Sequence, residues 1–184
     1  MISRIEALMD PAEIDYLIVN HVEMDHSGAV PMFIERAPNV QLVASDNGIK
    51  ALQRHYRMDL PMQKVRTGDE ISLGNKTLLF LEAYMLHWPD SMFTYLKEDC
   101  ILMPNDGFGQ HFASYRRFDD ENTLEVVMDE AAKYFGNILM PLAPLIPPLL
   151  ISTFRRFDVS TFRRLIVCPP LLGAVPPGAV IRGR

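Results

Sequence analysis

The chain of 184 residues carries a formal net charge of −5 and is 48% apolar. This length predicts one domain of about 150 residues with an appendage, and the negative charge argues against a nucleic acid or an anionic membrane as partner. Two cysteines are too few for a disulfide framework, and the N-terminus has no export signal, so we predict a cytoplasmic protein. No apolar run is long enough to predict a membrane span.

The first third of the chain has the pattern of alternating helices and strands. Near-continuous apolar runs predict buried strands. Apolar residues at helical spacing predict amphipathic helices, one of which would have Ser27 as its N-cap. The predicted elements are a helix end at 2–9, a strand at 14–20, a helix at 27–37, a strand at 40–45 and a helix at 46–56.

After residue 60 the apolar runs become shorter and are separated by turns. The turn sequences TGD and LGNK divide the segment 62–85 into apolar strands. The runs MFTYL at 92–96 and CILMP at 100–104 predict a hairpin, and residues 122–140 predict a helix. The whole pattern therefore predicts an α/β fold with a mixed sheet.

The composition changes near Pro141. Residues 1–140 hold 12 Lys and Arg against 22 Asp and Glu, whereas residues 141–184 hold 6 Arg, no Lys and one acidic residue. Eight of the 14 prolines fall in this last part, where they would break any long helix. We predict that residues 1–141 form a domain and that residues 142–184 are a poorly ordered Pro/Arg-rich tail. A genuine proline-rich docking segment is the alternative.

Side chains that can bind metals cluster directly after one predicted strand. His21, Glu23, Asp25 and His26 lie within six positions after the strand that ends at Asn20. In extended backbone, residues two apart point the same way, so His21 and Glu23 can face one metal. Asp25 and His26 lie past the bend into the next helix, where they can reach a second metal.

Two further candidate ligands follow other predicted strands. His87 would directly follow a strand that runs through Leu86, and Asp106 would follow one that ends near Pro104. Ligands in open α/β sheets gather outside strand ends, so we expect these residues to meet the first cluster. Asp106 could then bridge two ions with its two carboxylate oxygens.

The mixture of ligand types indicates which metals fit. Imidazoles and carboxylates without a thiolate exclude a structural zinc finger. Carboxylate-rich sites with some histidine suit iron or manganese, and zinc remains allowed.

Other chemically capable residues have weaker assignments. His111 either lies behind the metal ligands or caps a loop, and His55 is predicted to be structural on an exposed helix face. Cys100 is predicted to begin a strand as a core residue. Trp88 either shields a metal pocket or packs, and Asp90 is predicted to be a turn or N-cap residue rather than a ligand.

Four segments resemble one known family. HVEMDH at 21–26, MLHWPDSMFTYL at 85–96, NDGFGQH at 105–111 and AAKYFGNILMP at 132–141 are similar to the flavodiiron proteins, also called A-type flavoproteins or rubredoxin:oxygen oxidoreductases. These are the diiron branch of the metallo-β-lactamase fold. Hydrolases of that fold carry HxHxDH, and Glu23 stands where they have the second histidine. The resemblance covers residues 2 to about 141.

The resemblance implies a fold, a site and a reaction. The fold would be an incomplete αββα sandwich with mixed sheets. By resemblance, His21, Glu23 and His87 bind one iron, Asp25 and His26 bind the other, and Asp106 bridges them. In the family the centre reduces dioxygen to water or nitric oxide to nitrous oxide. Electrons come from FMN in a flavodoxin-like domain, supplied by a donor such as rubredoxin or a flavoprotein reductase. The family forms a homodimer.

The chain also departs from the family pattern. The family's second iron has one more histidine far downstream, but no histidine follows His111 in this sequence, and no segment resembles the flavodoxin-like domain. We therefore expect a fragment of a flavodiiron protein with impaired activity. The alternatives are a zinc hydrolase of the metallo-β-lactamase fold and a non-catalytic remnant.

Overall fold

Two mixed β-sheets form the centre of the computed structural model, which describes residues 1–57, 59–146, 164–165 and 180–181. The strands, in chain order, are β1 (Tyr16–Val19), β2 (Gln41–Ala44), β3 (Met62–Lys64), β4 (Glu70–Ser72), β5 (Thr77–Glu82), β6 (Met92–Leu96), β7 (Ile101–Met103), β8 (Arg164–Leu165) and β9 (Val180–Ile181). The first sheet has the order β3-β2-β1-β9, with β9 antiparallel to β1 and the other pairs parallel. The second has the order β4-β5-β6-β7-β8, in which only β7 and β8 pair in parallel.

Helices cover the outer faces of both sheets. These helices are α1 (Ile2–Glu6), α3 (Val30–Arg36), α4 (Asp46–Tyr56) and α5 (Leu124–Tyr134), and a further short helix, α2 (Met24–Ser27), lies at the edge beyond β1. α5 continues into a π-helical turn, Phe135–Leu139, and a 3-10 helix, Met140–Leu145, and further 3-10 turns occupy Pro11–Glu13, Asn105–Phe108 and Asp119–Glu121. None of the helices in the described part of the chain has the length and apolar character needed to cross a bilayer.

The alternation of side chains along the strands produces four layers. On β5, Leu78 and Phe80 belong to the core between the two sheets, whereas Leu79 and Leu81 belong to the core beneath α5. Successive strand residues point to opposite faces, so an unbroken apolar run fills both cores. A third core joins α1, α3 and α4 to the other face of the first sheet. The predicted αββα sandwich with mixed sheets is confirmed.

Several predicted elements match the observed ones closely. The helix predicted at 46–56 is observed as Asp46–Tyr56, and Ser45 caps it by accepting a hydrogen bond from Gly48 N at 3.0 Å. The hydroxyl thereby satisfies one of the backbone donors that an N-terminal helical turn leaves free. β1 and β2 lie within the predicted strands 14–20 and 40–45.

The single helix predicted at 27–37 is wrong. Two short helices, α2 and α3, lie on either side of Gly28 and Ala29. Pro31 occupies the first turn of α3, where its missing N–H costs nothing, but the same residue could not continue a preceding helix. Ser27 is the last residue of α2 and not an N-cap, because its hydroxyl donates to Val22 O at 2.6 Å.

The helix predicted at 122–140 is also longer than the observed α-helix, which ends at Tyr134. The chain then widens into the π-helical turn and tightens into the 3-10 helix that contains Pro141 and Pro144. A proline lacks the backbone donor, and its ring clashes with the carbonyl four residues earlier. A regular α-helix therefore cannot continue through Pro141.

Two further boundaries differ from the prediction. β5 ends at Glu82 rather than at Leu86, so His87 lies in a loop, residues 83–91, instead of directly after a strand. The loop is closed by backbone hydrogen bonds, among them Ala83 N to Ser91 O at 2.8 Å. Cys100 does not begin a strand, since it is a half-buried turn residue with φ of 55° before β7.

The predicted tail, residues 142–184, lies mostly outside the described residues. Within it the structure describes residues 142–146 and the two short strands β8 and β9. The boundary at residue 141 therefore stays a prediction.

Candidate metal centre

Six candidate ligands converge at one edge of the sandwich. The first sheet contributes four of them, from the end of β1 and from α2, and the second sheet contributes two, from the 83–91 loop and from the 3-10 turn after β7. They are His21, Glu23, Asp25, His26, His87 and Asp106. The site thus lies where both sheets end, whereas the sequence pattern predicts a site at the edge of one sheet.

Four of these side chains form a first cluster. The Nε2 atom of His21 lies 3.2 Å from Oε2 of Glu23 and 3.5 Å from Oδ2 of Asp106. The Nε2 atom of His87 lies 3.4 Å from Oε2 of Glu23 and 3.3 Å from Oδ2 of Asp106. One ligand atom from each of the four residues therefore faces a common point.

These separations fit a single metal ion. Atoms that bind one transition-metal ion at about 2.1 Å, with about 90–110° between the bonds, lie about 3.0–3.4 Å from one another. The distances of 3.2–3.5 Å in the first cluster fall close to that range. Since all four ligand atoms lie within 4.8 Å of one another, two imidazoles and two carboxylates could close around one ion.

A second cluster lies on the other side of Asp106. The Nε2 atom of His26 is 3.1 Å from Oδ1 of Asp106 and 3.4 Å from Oδ2 of Asp25. Oδ1 of Asp25 and Nε2 of His26 are buried and make no hydrogen bond among the described residues. A buried polar atom that makes no hydrogen bond is costly, so a bound cation would satisfy Oδ1 of Asp25 and also Nε2 of His26, which meets Asp106 only as an ion pair.

The charges of the cluster compensate one another. Burial alone would raise the pKa of Asp106, but His26 and His87 outweigh it and hold that pKa well below its usual range. The Asp106 carboxylate raises the pKa of His87. Burial alone would lower the pKa of His26, but the neighbouring carboxylates outweigh burial and raise that pKa as well. The carboxylates therefore favour positive charge at this position, whether it is a proton on an imidazole or a bound cation.

Two residues of the HWPDS segment support the first cluster from behind. Oδ2 of Asp90 lies 3.1 Å from Nδ1 of His21 and accepts a hydrogen bond from Val22 N at 2.7 Å. Burial opposes ionisation of Asp90, but His21 outweighs it and lowers the pKa of that carboxyl. Trp88 packs edge-on against His21, with ring centres 5.3 Å apart. The contact between Asp90 and His21 could not be predicted from local sequence patterns, because 69 positions separate the two residues.

The remaining histidines lie apart from the two clusters. His55 is exposed on α4, with its ring nitrogen 3.0 Å from Ala51 O, as predicted for a structural residue. His111 is exposed, and its ring lies tilted against the ring of Tyr134 with the ring centres 5.3 Å apart. It therefore lies on the surface rather than behind the ligands.

The four layers and the paired clusters at their edge define the β-lactamase-like class of metal-binding fold. The family described as "ODP family beta lactamase" matches residues 1–159. The chain belongs to this ODP family of β-lactamase-like proteins.

Named relatives are consistent with this family. The chain is 48% identical over 147 residues to a nitric oxide reductase of Moorella thermoacetica, a match that covers 79% of this chain and 37% of the relative. It is 44% identical over 138 residues to a coenzyme F420H(2) oxidase of Methanocaldococcus jannaschii, covering 73% of this chain and 33% of the relative. The chain thus spans less than half the length of these relatives.

Solved structures show the same likeness. The rubredoxin oxygen:oxidoreductase of Desulfovibrio gigas superposes with a TM-score of 0.75 at 35% identity, covering 86% of this chain and 39% of that one. The flavodiiron protein of Giardia intestinalis superposes with a TM-score of 0.74 at 33% identity, covering 90% and 40%. The resemblance to flavodiiron proteins that the sequence motifs predicted is confirmed.

Proposed function

We propose that the chain holds two iron ions in the diiron domain of an FMN-linked oxidoreductase that reduces dioxygen to water or nitric oxide to nitrous oxide. The observation that carries the proposal is the position of Asp106, whose Oδ2 faces the first cluster and whose Oδ1 faces the second. A carboxylate shared in this way is suited to hold two ions a few ångströms apart. The names of the relatives, a nitric oxide reductase and an oxygen oxidoreductase, support the two substrates.

The proposed ligands divide between the two ions as the clusters do. His21, Glu23 and His87 would bind one iron, Asp25 and His26 the other, and Asp106 both. Carboxylates and imidazoles without thiolates suit iron. Glu23 supports iron over the zinc of related hydrolases, because a carboxylate replaces an imidazole there.

The electron balance fits a pair of ferrous ions. Two nitric oxide molecules take up two electrons and two protons to form nitrous oxide and water, and a pair of ferrous ions held by these residues would supply the two electrons. Dioxygen needs four electrons and four protons to form two waters, so two more electrons must come from the flavin and its donor.

The chain's own residues would hold the ions and leave one side open. Asp106 is only 7% exposed and would fix the separation of the ions, while Trp88 closes the face behind His21. The Glu23 side chain is 37% exposed, so the accessible side of the site lies next to it. A diatomic substrate is small enough to enter there.

The surroundings of the reaction are proposals as well. FMN would reach the site from a flavodoxin-like domain, with rubredoxin or a flavoprotein reductase as donor and a homodimer as the assembly. The names flavorubredoxin and rubredoxin oxygen:oxidoreductase among the relatives support such a donor. We place the protein in the cytoplasm, with neither a nucleic acid nor a membrane as partner.

The second cluster should bind its ion more weakly than the first. It offers one imidazole and one carboxylate besides the shared Asp106, against two imidazoles and one carboxylate in the first. The additional histidine that the family resemblance implies has no counterpart among the five histidines of the sequence. We therefore propose that these 184 residues turn over slowly by themselves.

Anaerobic loading with ferrous iron tests the proposal. We expect up to two irons per chain, and spectroscopy of the ferric state should show that the two ions interact. With a chemical reductant, the loaded chain should consume nitric oxide or dioxygen slowly. His55→Gln is the matched control, because this exposed histidine lies outside both clusters. A chain that takes up only zinc and hydrolyses an ester or amide substrate would contradict the proposal.

A further inference from the structure

The 83–91 loop carries one candidate ligand and also contacts another across the sheets. His87 points from this loop into the first cluster, and three residues later Asp90 binds the backbone and side chain at the end of β1. Asp90 is only 3% exposed, and its Oδ2 makes both of these contacts, whereas its buried Oδ1 makes no hydrogen bond among the described residues. The loop of the second sheet is therefore tied to the first sheet directly beneath the metal centre.

The contact with His21 has a defined chemical direction. Nδ1 of His21 lies 3.1 Å from Oδ2 of Asp90, so the proton of the neutral ring belongs on Nδ1. The lone pair then lies on Nε2, which is the atom that faces Glu23 and Asp106. A metal-bound imidazole needs this tautomer, and a carboxylate behind the ring holds its orientation and makes it a stronger ligand.

The same carboxylate is itself held in place. Val22 N donates to Oδ2 of Asp90 at 2.7 Å, and Ser45 Oγ donates to the Asp90 backbone carbonyl at 2.8 Å. Both donors belong to the first sheet side, at the ends of β1 and β2. Asp90 can therefore orient His21 only because two strand ends fix it.

From these contacts we infer that Asp90 is a positioning residue for the metal centre. It fixes the tautomer and orientation of His21, and it holds the 83–91 loop, which carries His87, against the end of β1. The inference rests on the proposed metal site. It assigns Asp90 no contact with the metal or with the substrate.

Two substitutions at Asp90 separate its charge from its geometry. Asp90→Asn keeps an oxygen that can accept from Val22 N and from His21, but it removes the negative charge. Asp90→Ala removes both. We expect the affinity for ferrous iron, or for cobalt as a spectroscopic probe, to fall in the order wild type, Asp90→Asn, Asp90→Ala, with about a 10–100-fold loss for Asp90→Ala.

Thr94→Val is the matched control for a purely structural effect. The buried Thr94 hydroxyl donates to Asn20 Oδ1 at 2.6 Å, so it also joins the second sheet to the end of β1 but does not touch a histidine. We expect this variant to lose thermal stability while keeping wild-type metal affinity. Titrations at a temperature where each variant remains folded by circular dichroism make the affinities comparable.

A second readout reports the His21 ring itself. In the zinc-loaded wild type, the Nδ1 proton of His21 should give a slowly exchanging downfield NMR signal, which Asp90→Ala should remove and Thr94→Val should keep. Asp90→Ala with wild-type affinity and an unchanged signal would overturn the inference while leaving the metal site intact. A wild type that binds no metal would overturn the proposed function as well.

Discussion

The two clusters of the metal centre are built in different ways. The first draws its ligand atoms from three segments that lie far apart in the sequence and in both sheets, and Asp90 and Trp88 support it from behind. The second takes Asp25 and His26 from one four-residue helix and adds only Asp106. The first cluster is therefore a product of the whole fold, whereas the second depends on one short helix and a shared carboxylate.

This difference predicts how metal binding couples to folding. Ions that join distant segments stabilise the native state, because the unfolded chain offers no preformed site. Occupying the first cluster should raise the melting temperature more than occupying the second. The second cluster offers only one imidazole and one carboxylate besides the shared Asp106, so we expect it to be the weaker half.

The largest effect is expected from Asp106→Asn. This change keeps the shape of the side chain but removes the charge and the second anionic oxygen, so both clusters lose a ligand at once. We expect the loss of affinity to exceed the about 10–100-fold that is typical of a residue behind a ligand. Calorimetric titration with ferrous iron measures this loss of affinity. If the variant still bound two ions tightly, Asp106 could not be a shared bridge.

Substitutions in a single cluster should separate the two halves. His87→Ala removes one of four ligands of the first cluster, so we expect the tighter binding step to weaken and the weaker step to remain. Asp25→Asn should remove the weaker step and leave the tighter one near its wild-type affinity. Iron content per chain after dialysis distinguishes these outcomes, and equal effects of both variants on both steps would contradict the division into clusters.

The pH dependence of stability should reverse with metal. In the metal-free protein, the raised pKa values of His26 and His87 contribute stability that is complete below the ordinary histidine value of about 6.5 and is lost as the pH rises through the folded-state values. The lowered pKa of Asp106 contributes stability that is complete above about 3.9 and is lost as the pH falls further. The metal-free chain should therefore melt at the highest temperature between these two limits.

Bound metal should reverse the pH dependence of stability in the range where the histidines lose their protons. Because the metal must displace protons from His26 and His87, its affinity rises as the pH rises through their raised pKa values. Between pH 6 and 8 the melting temperature should thus fall for the metal-free chain and rise for the loaded one, which thermal scans at matched ionic strength can measure. Parallel curves for the two forms would show that the metal binds elsewhere.

Much of the fold could be predicted because it depends on local pattern. The apolar run of β1 and the helical pattern of α4 are properties of neighbouring residues, and the structure contains both elements as predicted. The division of the helix at 27–37 was missed because the Ser27 hydroxyl donates back to Val22 O instead of capping a following helix, and a new helix begins at Val30 with Pro31 in its first turn. The end of β5 was missed because Ala83 pairs with Ser91 across the loop.

The candidate site shows the same limit. His21 and Glu23 could be grouped from their spacing, since alternate residues of an extended segment share a face. Asp90 could not be assigned, because its meeting with His21 results from the stacking of two sheets and leaves no periodic trace in the sequence. Residues that support a ligand from another layer become evident only in the folded chain.

The most direct test of the shared bridge is a crystal structure of the iron-loaded chain with anomalous diffraction recorded at the iron edge. We predict two iron peaks, one beside His21 and His87 and the other beside Asp25 and His26, with one oxygen of Asp106 bound to each. A single peak, or two peaks that do not share Asp106, would contradict the central claim.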